Sequence, residues 1–277
     1  MSECKVIAIA NEKGGVAKTT TTLNLGANLV RKGKKVLMID LDPQANLTIL
    51  SGYRRPDKLD KTITTIMKKV IGGVTFENSE GILENKEGLK VMPANMELKS
   101  METNLLSAFN KEAVLSRYIK QVKKDYDYIL IDCMPSVGLL VINALASADS
   151  VIIPVQPHFL PLNGMTEVLR TIDKIKAFIN PRLKVEGVLI TLANMHTKLA
   201  KATVDTIRQN YGRSIKVYKS IIPVGIKAAE SGIAGKSVFS YKKNSKVAMD
   251  YEEFSEEVLR DNARTRNTRN AQCRWIV

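Results

Sequence analysis

At 277 residues, with 44% hydrophobic and 25% charged positions, the chain can bury the core of one large α/β domain or two small ones. That composition excludes a disordered, collagen-like or disulfide-stapled chain. Lys and Arg number 42 against 28 Asp and Glu, a net charge of +14 with a pI near 9.6, which points to a polyanionic partner. The segment His196–Val277 carries 16 Lys/Arg and 8 Asp/Glu, so +8 of the +14 lies there. Aromatic residues are only 5%, too few for rows of base-stacking platforms, so contact with nucleic acid is expected at phosphates.

The longest apolar stretch, Gly138–Ala146, falls short of the roughly 20 residues that cross a bilayer. Val6–Ala10 is too short for a signal-peptide core, and charged Glu12 and Lys13 follow it. Cys4, Cys133 and Cys273 show no metal-binding spacing and leave an odd count. A cytoplasmic protein with reduced thiols is expected.

In chain order, short apolar runs alternate with helical segments. Strands are expected at Val6–Ala10, Val36–Ile39, Leu89–Met92, Tyr128–Ile131, Val151–Val155 and Val185–Leu192. Leu23, Ala27 and Val30 have helical spacing, closed by Gly33. Gly52–Gly88 is polar with scattered apolar residues and has no clear pattern. Val168, Ile172, Ile175 and Ile179 mark a helix that stops at Asn180-Pro181. The last helix is expected over Val247–Arg260, with Asn244 or Ser245 as cap, leaving Asp261–Val277 as a flexible, Arg-rich tail. Strands apolar on both faces, separated by helices, predict a single doubly wound domain over residues 1–260 with a mostly parallel sheet.

Directly after the first strand comes Asn11-Glu12-Lys13-Gly14-Gly15-Val16-Ala17-Lys18-Thr19-Thr20, then a helical segment. Glycines let consecutive N–H groups curl into an anion-binding nest, and the next helix presents its positive end. Lys18 reaches the β/γ-phosphates in such a loop, and the Thr19 hydroxyl sits on Mg²⁺. A strict G-x-x-x-x-G-K-[ST] match fails because Glu12 and Ala17 occupy the framing glycine positions. No G-x-G-x-x-G is present, so a dinucleotide fold is not supported.

The spacing Lys-Gly-Gly-x-x-Lys-Thr resembles the deviant Walker A motif of the ParA/MinD family of P-loop ATPases. Asp40-Leu41-Asp42-Pro43-Gln44-Ala45-Asn46, Ile129-Leu130-Ile131-Asp132-Cys133-Met134-Pro135-Ser136, Gly187–Thr191 and Ile221-Ile222-Pro223 extend the resemblance from about Lys5 to Leu259, most like partition ATPases of the ParA/Soj type. The resemblance implies a P-loop NTPase fold that uses ATP and Mg²⁺. It makes Lys13 the signature lysine that reaches a dimer partner's phosphates, and Lys18 and Asp42 the catalytic cation and the water-orienting carboxylate. Gly14, Gly15, Val16, Ala17 and Thr20 complete the phosphate cradle, with Asn194 and Pro223 at the adenine. Thr19, Asp40 and Asp132 fall at the metal. Met134 departs from the family's proline, and Ala17 from its glycine.

For DNA, the resemblance places Lys227 at a family Arg, while His196 stands at another. Lys198, Lys201 and Lys219, with Arg264, Arg266 and Arg269, are expected to compensate. Cys133, His158 and Met92, Met96 and Met101 are read as structural residues rather than ligands. The expected function is an ATP-dependent DNA-partition ATPase. It dimerises on MgATP, binds duplex DNA nonspecifically on the nucleoid, and hydrolyses ATP slowly under stimulation by a ParB-like partner. The alternatives are a MinD-like positioning ATPase at the membrane, a metabolic ATP-dependent enzyme of the same fold, and a nucleotide-switched transcription regulator. The membrane reading is the poorer one, because the C-terminus offers only Trp275-Ile276-Val277 as an apolar cluster.

Overall fold

The computed structural model describes residues 4–157 and 161–273. Eight strands are seen among them: β1 (Lys5–Ile9), β2 (Val36–Leu41), β3 (Leu83–Glu84), β4 (Lys90–Met92), β5 (Tyr128–Cys133), β6 (Ser150–Val155), β7 (Lys184–Ala193) and β8 (Val217–Pro223). They form one sheet in the order β3-β4-β2-β5-β1-β6-β7-β8, in which only the β3–β4 pair is antiparallel. The helices among these residues are α1 (Lys18–Arg31), α2 (Asn46–Leu50), α3 (Ile63–Ile71), α4 (Lys99–Leu106), α5 (Val114–Val122), α6 (Leu139–Ser147), α7 (Pro161–Phe178), α8 (Lys198–Tyr211), α9 (Ile226–Ile233), α10 (Val238–Lys242) and α11 (Lys246–Cys273).

The doubly wound reading holds because alternate strand residues point to opposite faces. Val6, Ala8, Ile129, Ile131, Val151 and Ile153 share one buried cluster with residues of α3, α5, α6 and α7. Ile7, Ile9, Met38, Tyr128, Leu130 and Ile152 share the other with α1 and with Tyr251, Phe254 and Val258 of α11. Each central strand is therefore apolar on both sides, as a helix-covered parallel sheet requires.

Two elements differ from the sequence expectation. The patternless stretch Gly52–Gly88 holds α3, a single 3₁₀ turn at Pro56–Lys58 and the short edge strand β3. The apolar side of α3 (Ile63, Ile66, Met67, Val70) is buried against α5. The last helix does not stop at Arg260 but continues to Cys273, through the expected tail, because no Gly or Pro lies between Lys246 and Cys273 to end it. Its start agrees: the Ser245 hydroxyl accepts the Ala248 N–H at 3.3 Å. His158 and Trp275-Ile276-Val277 lie outside the described residues, as do the side chains of Arg266 and Arg269.

Candidate active site

The loop Ala10–Ala17 leaves the C-terminal end of β1 and delivers the chain to α1, the edge of a doubly wound sheet where ligands bind. Asn11 fixes its start. The buried amide donates to Pro154 O at 2.7 Å, and its Oδ1 accepts the Lys13 N–H at 3.0 Å. Thr191 on β7 donates from Oγ1 to Val16 O at 3.0 Å. Between these anchors the backbone passes through two left-handed residues, Gly15 (φ 73°) and Ala17 (φ 63°). A Cβ at Gly15 would meet no atom within 4 Å, so it is the backbone angle and not crowding that calls for glycine there. At Ala17 the sequence departs from the family's glycine by a single methyl group. The backbone angle is the reason for the family's glycine, since a left-handed L-residue is strained.

Lys18 opens α1 and is buried, with Nζ donating to Asn11 O at 2.9 Å and Lys13 O at 3.0 Å. Burial pushes its ammonium down, and the nearby Asp132, Cys133 and Asp42 charges oppose that shift. The first N–H groups of α1 have no intrahelical acceptor, and no acidic side chain stands in its first turn, which leaves the helix end receptive to an anion. Lys13, Gly14 and Gly15 are exposed.

Asp40 on β2 and Asp132 on β5 are register partners across two adjacent parallel strands. Both are fully buried. Burial raises the Asp40 carboxyl to about 7, against hydrogen bonds from Thr48 and with a further push from Asp42. Thr48 donates to Asp40 Oδ2 from N–H (2.8 Å) and from Oγ1 (2.7 Å), while the Asp42 N–H reaches Oδ1 at 3.3 Å. Asp132 is also held well above the carboxylate range, by burial first and the Asp40 charge second. Hydroxyls of Thr19 and Thr22 face it, Thr22 Oγ1 at 3.4 Å from Oδ1, but its buried Oδ2 has no hydrogen-bond partner. Two repelling, desolvated carboxylates with one orphaned oxygen, beside a threonine hydroxyl and a phosphate loop, are a donor set that fits Mg²⁺. Among the described residues no group of three or more His, Cys, Asp and Glu can hold a metal. Cys133 is buried beside this pair, its thiol pushed up by burial, so it packs rather than reacts.

The loop, Asp42, Gln44, Leu50, Lys99, Met134, Pro135 and Leu192 enclose a cleft of about 650 Å³. Asp42, half-buried, turns its own loop by accepting the Gln44 N–H at 2.8 Å. A second, apolar cavity of about 460 Å³ adjoins the cleft, sharing Ala17, Thr20, Leu50 and Leu192, and Pro223 lines it. Asn194 lines neither cavity; its carbonyl accepts from Thr197 in the turn that starts α8. Leu192 was not singled out from sequence, yet it lines both cavities with a left-handed backbone (φ 51°) at an irregular point of the β7–β8 pairing. Such strain gathers at ligand sites. A leucine in an apolar strand gives no sign of it.

The basic residues separate into two places. Lys198 and Lys201 open α8 and Lys227 opens α9, at the C-terminal ends of the neighbouring strands β7 and β8, and all three are exposed. Lys219 lies back along β8, four residues before Pro223 and therefore about 13 Å from that end, apart from Lys227. Lys227 is engaged, donating to Glu230 Oε2 at 2.7 Å. Arg264 is exposed on α11.

A glycine nest ending in Lys18-Thr19, a helix positive end and an in-register pair of buried carboxylates define a P-loop ATPase that uses ATP and Mg²⁺. Comparison with known proteins agrees: the family model described as an AAA domain matches residues 4–185. The sporulation initiation inhibitor protein Soj of Bacillus subtilis (strain 168) is 38% identical over 92% of this chain and 98% of its own. The chromosome partitioning protein ParA of Caulobacter vibrioides (strain NA1000 / CB15N) is 34% identical over 92% and 94%. Among solved structures, cobyrinic acid a,c-diamide synthase from Mycobacterium smegmatis with bound ADP and magnesium superposes with TM-score 0.80 at 35% identity, covering 93% of this chain and 94% of that one. The chain belongs to the ParA/Soj-type family of partition ATPases.

Proposed function

We propose that this ATPase partitions DNA, with MgATP closing two copies into a dimer that coats duplex DNA and a ParB-like protein triggering release. The observation that carries the reading is the exposure of Lys13 beside Gly14 and Gly15, which line the cleft, so that a second copy can bring its own Lys13 to the phosphates. Bound Mg²⁺ would neutralise charge on the β- and γ-phosphoryl oxygens. Thr19 and Asp132 would hold it, with Asp40 supporting them from the neighbouring strand. Gly14, Gly15, Val16, Ala17, Lys18 and Thr20 cradle the phosphates with N–H groups and the Lys18 ammonium. Asp42 orients the attacking water, and Lys13 offsets charge that spreads over the γ-phosphoryl oxygens of the facing copy. The apolar cavity at Pro223 suits a purine base.

The positive ends of α8 and α9 carry Lys198, Lys201 and Lys227 with no acidic residue in either first turn. Cations there oppose their own helix dipoles, a cost that an incoming phosphate relieves. This supports backbone contact with DNA of any sequence. Among the described residues no helix is long and apolar enough to cross a membrane, and action on the nucleoid follows from the DNA reading.

The test is molecular mass by light scattering after gel filtration with MgATP. Asp42→Ala keeps the phosphate cradle and should run as a stable dimer. Lys13→Ala should bind ATP and stay monomeric. A monomeric Asp42→Ala protein counts against the sandwich.

A further inference from the structure

Helix α4 stands beside the cleft without belonging to any phosphate-binding motif. Its first residue, Lys99, is exposed and lines the cleft together with Asp42, Gln44, Met134 and Pro135. One turn further on, Glu102 accepts two backbone N–H groups of another helix: Leu139 at Oε2 (2.9 Å) and Leu140 at Oε1 (3.2 Å). These are the first two residues of α6, whose own N-cap position is Gly138 and offers no side-chain cap. Glu102 supplies the missing cap from a different element, with its negative charge on the helix's positive end. The contact is close, because a Cβ at Gly138 would stand 2.4 Å from Glu102 Oε1.

The capped end closes the loop Met134–Gly138, which begins two residues after Asp132. That loop rests against the phosphate loop: a Cβ at Gly14 would lie 4.0 Å from Pro135 Cβ. Residues three apart lie on one side of a helix. A single turn of α4 therefore presents a cation to the cleft and a carboxylate to the loop that walls it.

We infer that α4 reads the terminal phosphate. Lys99 is a further ATP-contacting cation in the cleft that Lys18 lines, and Glu102 is the positioning residue that holds the Asp132 loop against the bound phosphates. The inference rests on the ATPase reading. Lys18 reaches the β-phosphate that ADP keeps as well as the γ-phosphate, whereas Lys99 lines the cleft with the water-orienting Asp42 and meets the group that ADP lacks.

The experiment compares the parent with Lys99→Ala, Lys99→Arg and Glu102→Gln in the whole chain. It measures affinity for ADP and for a non-hydrolysable ATP analogue with Mg²⁺, kcat and KM for phosphate release, and the melting temperature. Lys99→Ala should weaken the ATP analogue about tenfold, the scale of one lost charge-assisted contact, while leaving ADP affinity within about twofold. Lys99→Arg should restore the preference. Glu102→Gln should lower kcat about tenfold with ADP affinity, KM and melting temperature close to the parent. Equal effects of Lys99→Ala on both nucleotides, or a Glu102→Gln protein whose only change is a lower melting temperature, would overturn the inference and leave Glu102 a helix cap. Failure of the parent to bind either nucleotide would instead overturn the ATPase reading itself.

Discussion

Replacing Asp132 by Asn should make the nucleotide-free protein more stable while abolishing its response to MgATP. Asp132 and Asp40 face each other from adjacent strands, both buried, and Asp132 Oδ2 has no partner. At an interstrand spacing of about 5 Å and an effective dielectric constant of about 20, two full charges repel by about 3 kcal/mol. With Asp40 raised to about 7 and Asp132 itself held well above the carboxylate range, the pair carries less than two full charges at neutral pH, so only part of that figure is felt. Asn keeps Oδ1 as acceptor for Thr22 but brings an amide donor that needs its own partner, so about 1 kcal/mol of net gain is expected. For a chain of this size that raises the melting temperature by about 2–4 °C. The parent should gain about 2.7 kcal/mol at MgATP a hundredfold above its Kd, and the variant should gain none of the Mg²⁺-dependent part. Thermal unfolding with ATP, in Mg²⁺ and in EDTA, measures both effects, and the order of the two proteins should reverse when MgATP is added. An Asp132→Asn protein that melts below the parent without nucleotide, or that keeps the full MgATP shift, would refute the buried-carboxylate account.

Ala17→Gly should relieve left-handed strain of about 1–2 kcal/mol, offset by about 0.5–1 kcal/mol of added unfolded-state freedom, for a small net rise in melting temperature. Ala17→Val should lower it, and the reverse order in thermal melts would count against the loop geometry. Lys227→Glu should weaken binding to all DNA sequences alike with ATP affinity intact, whereas Glu230→Gln, which frees the Lys227 cation from its ion pair, should strengthen it; filter binding reads both. Burial would raise the Glu257 carboxyl, but Ser220 and the Lys219 N–H outweigh it and hold the group below its usual range. A lowered folded-state value means stability that is present above about pH 4.3 and lost as pH falls through the lowered value. Glu257→Gln should therefore flatten the acid limb of the stability curve measured in urea, and an unchanged limb would contradict this.

The phosphate loop was legible in the sequence because its chemistry is local: consecutive N–H groups, Lys18 and Thr19 all come from one strand–loop–helix passage. The central strands were legible because helices cover both sheet faces, so every position reads as apolar. Asp40 and Asp132 stood out only through the family pattern. Their pairing depends on β2 and β5 lying side by side, which no spacing along the chain encodes. The same holds for Lys99 and Glu102, whose places depend on where α4 docks. Asn194 begins the turn that leads into α8, and Lys219 lies back along β8 away from Lys227, places that depend on the sheet and not on spacing along the chain. The helix end at Arg260 failed as an expectation because polarity alone does not stop a helix. Without Gly or Pro to break it, a polar Arg-rich segment simply extends the helix already running from Lys246.

The most direct test of the account is binding to a duplex of arbitrary sequence, followed by fluorescence anisotropy over a salt series with ATP, with ADP and without nucleotide. Binding in MgATP alone is predicted, with log affinity falling against log salt at about −0.9 per phosphate neutralised. Affinity indifferent to nucleotide, or a slope near zero, would contradict it.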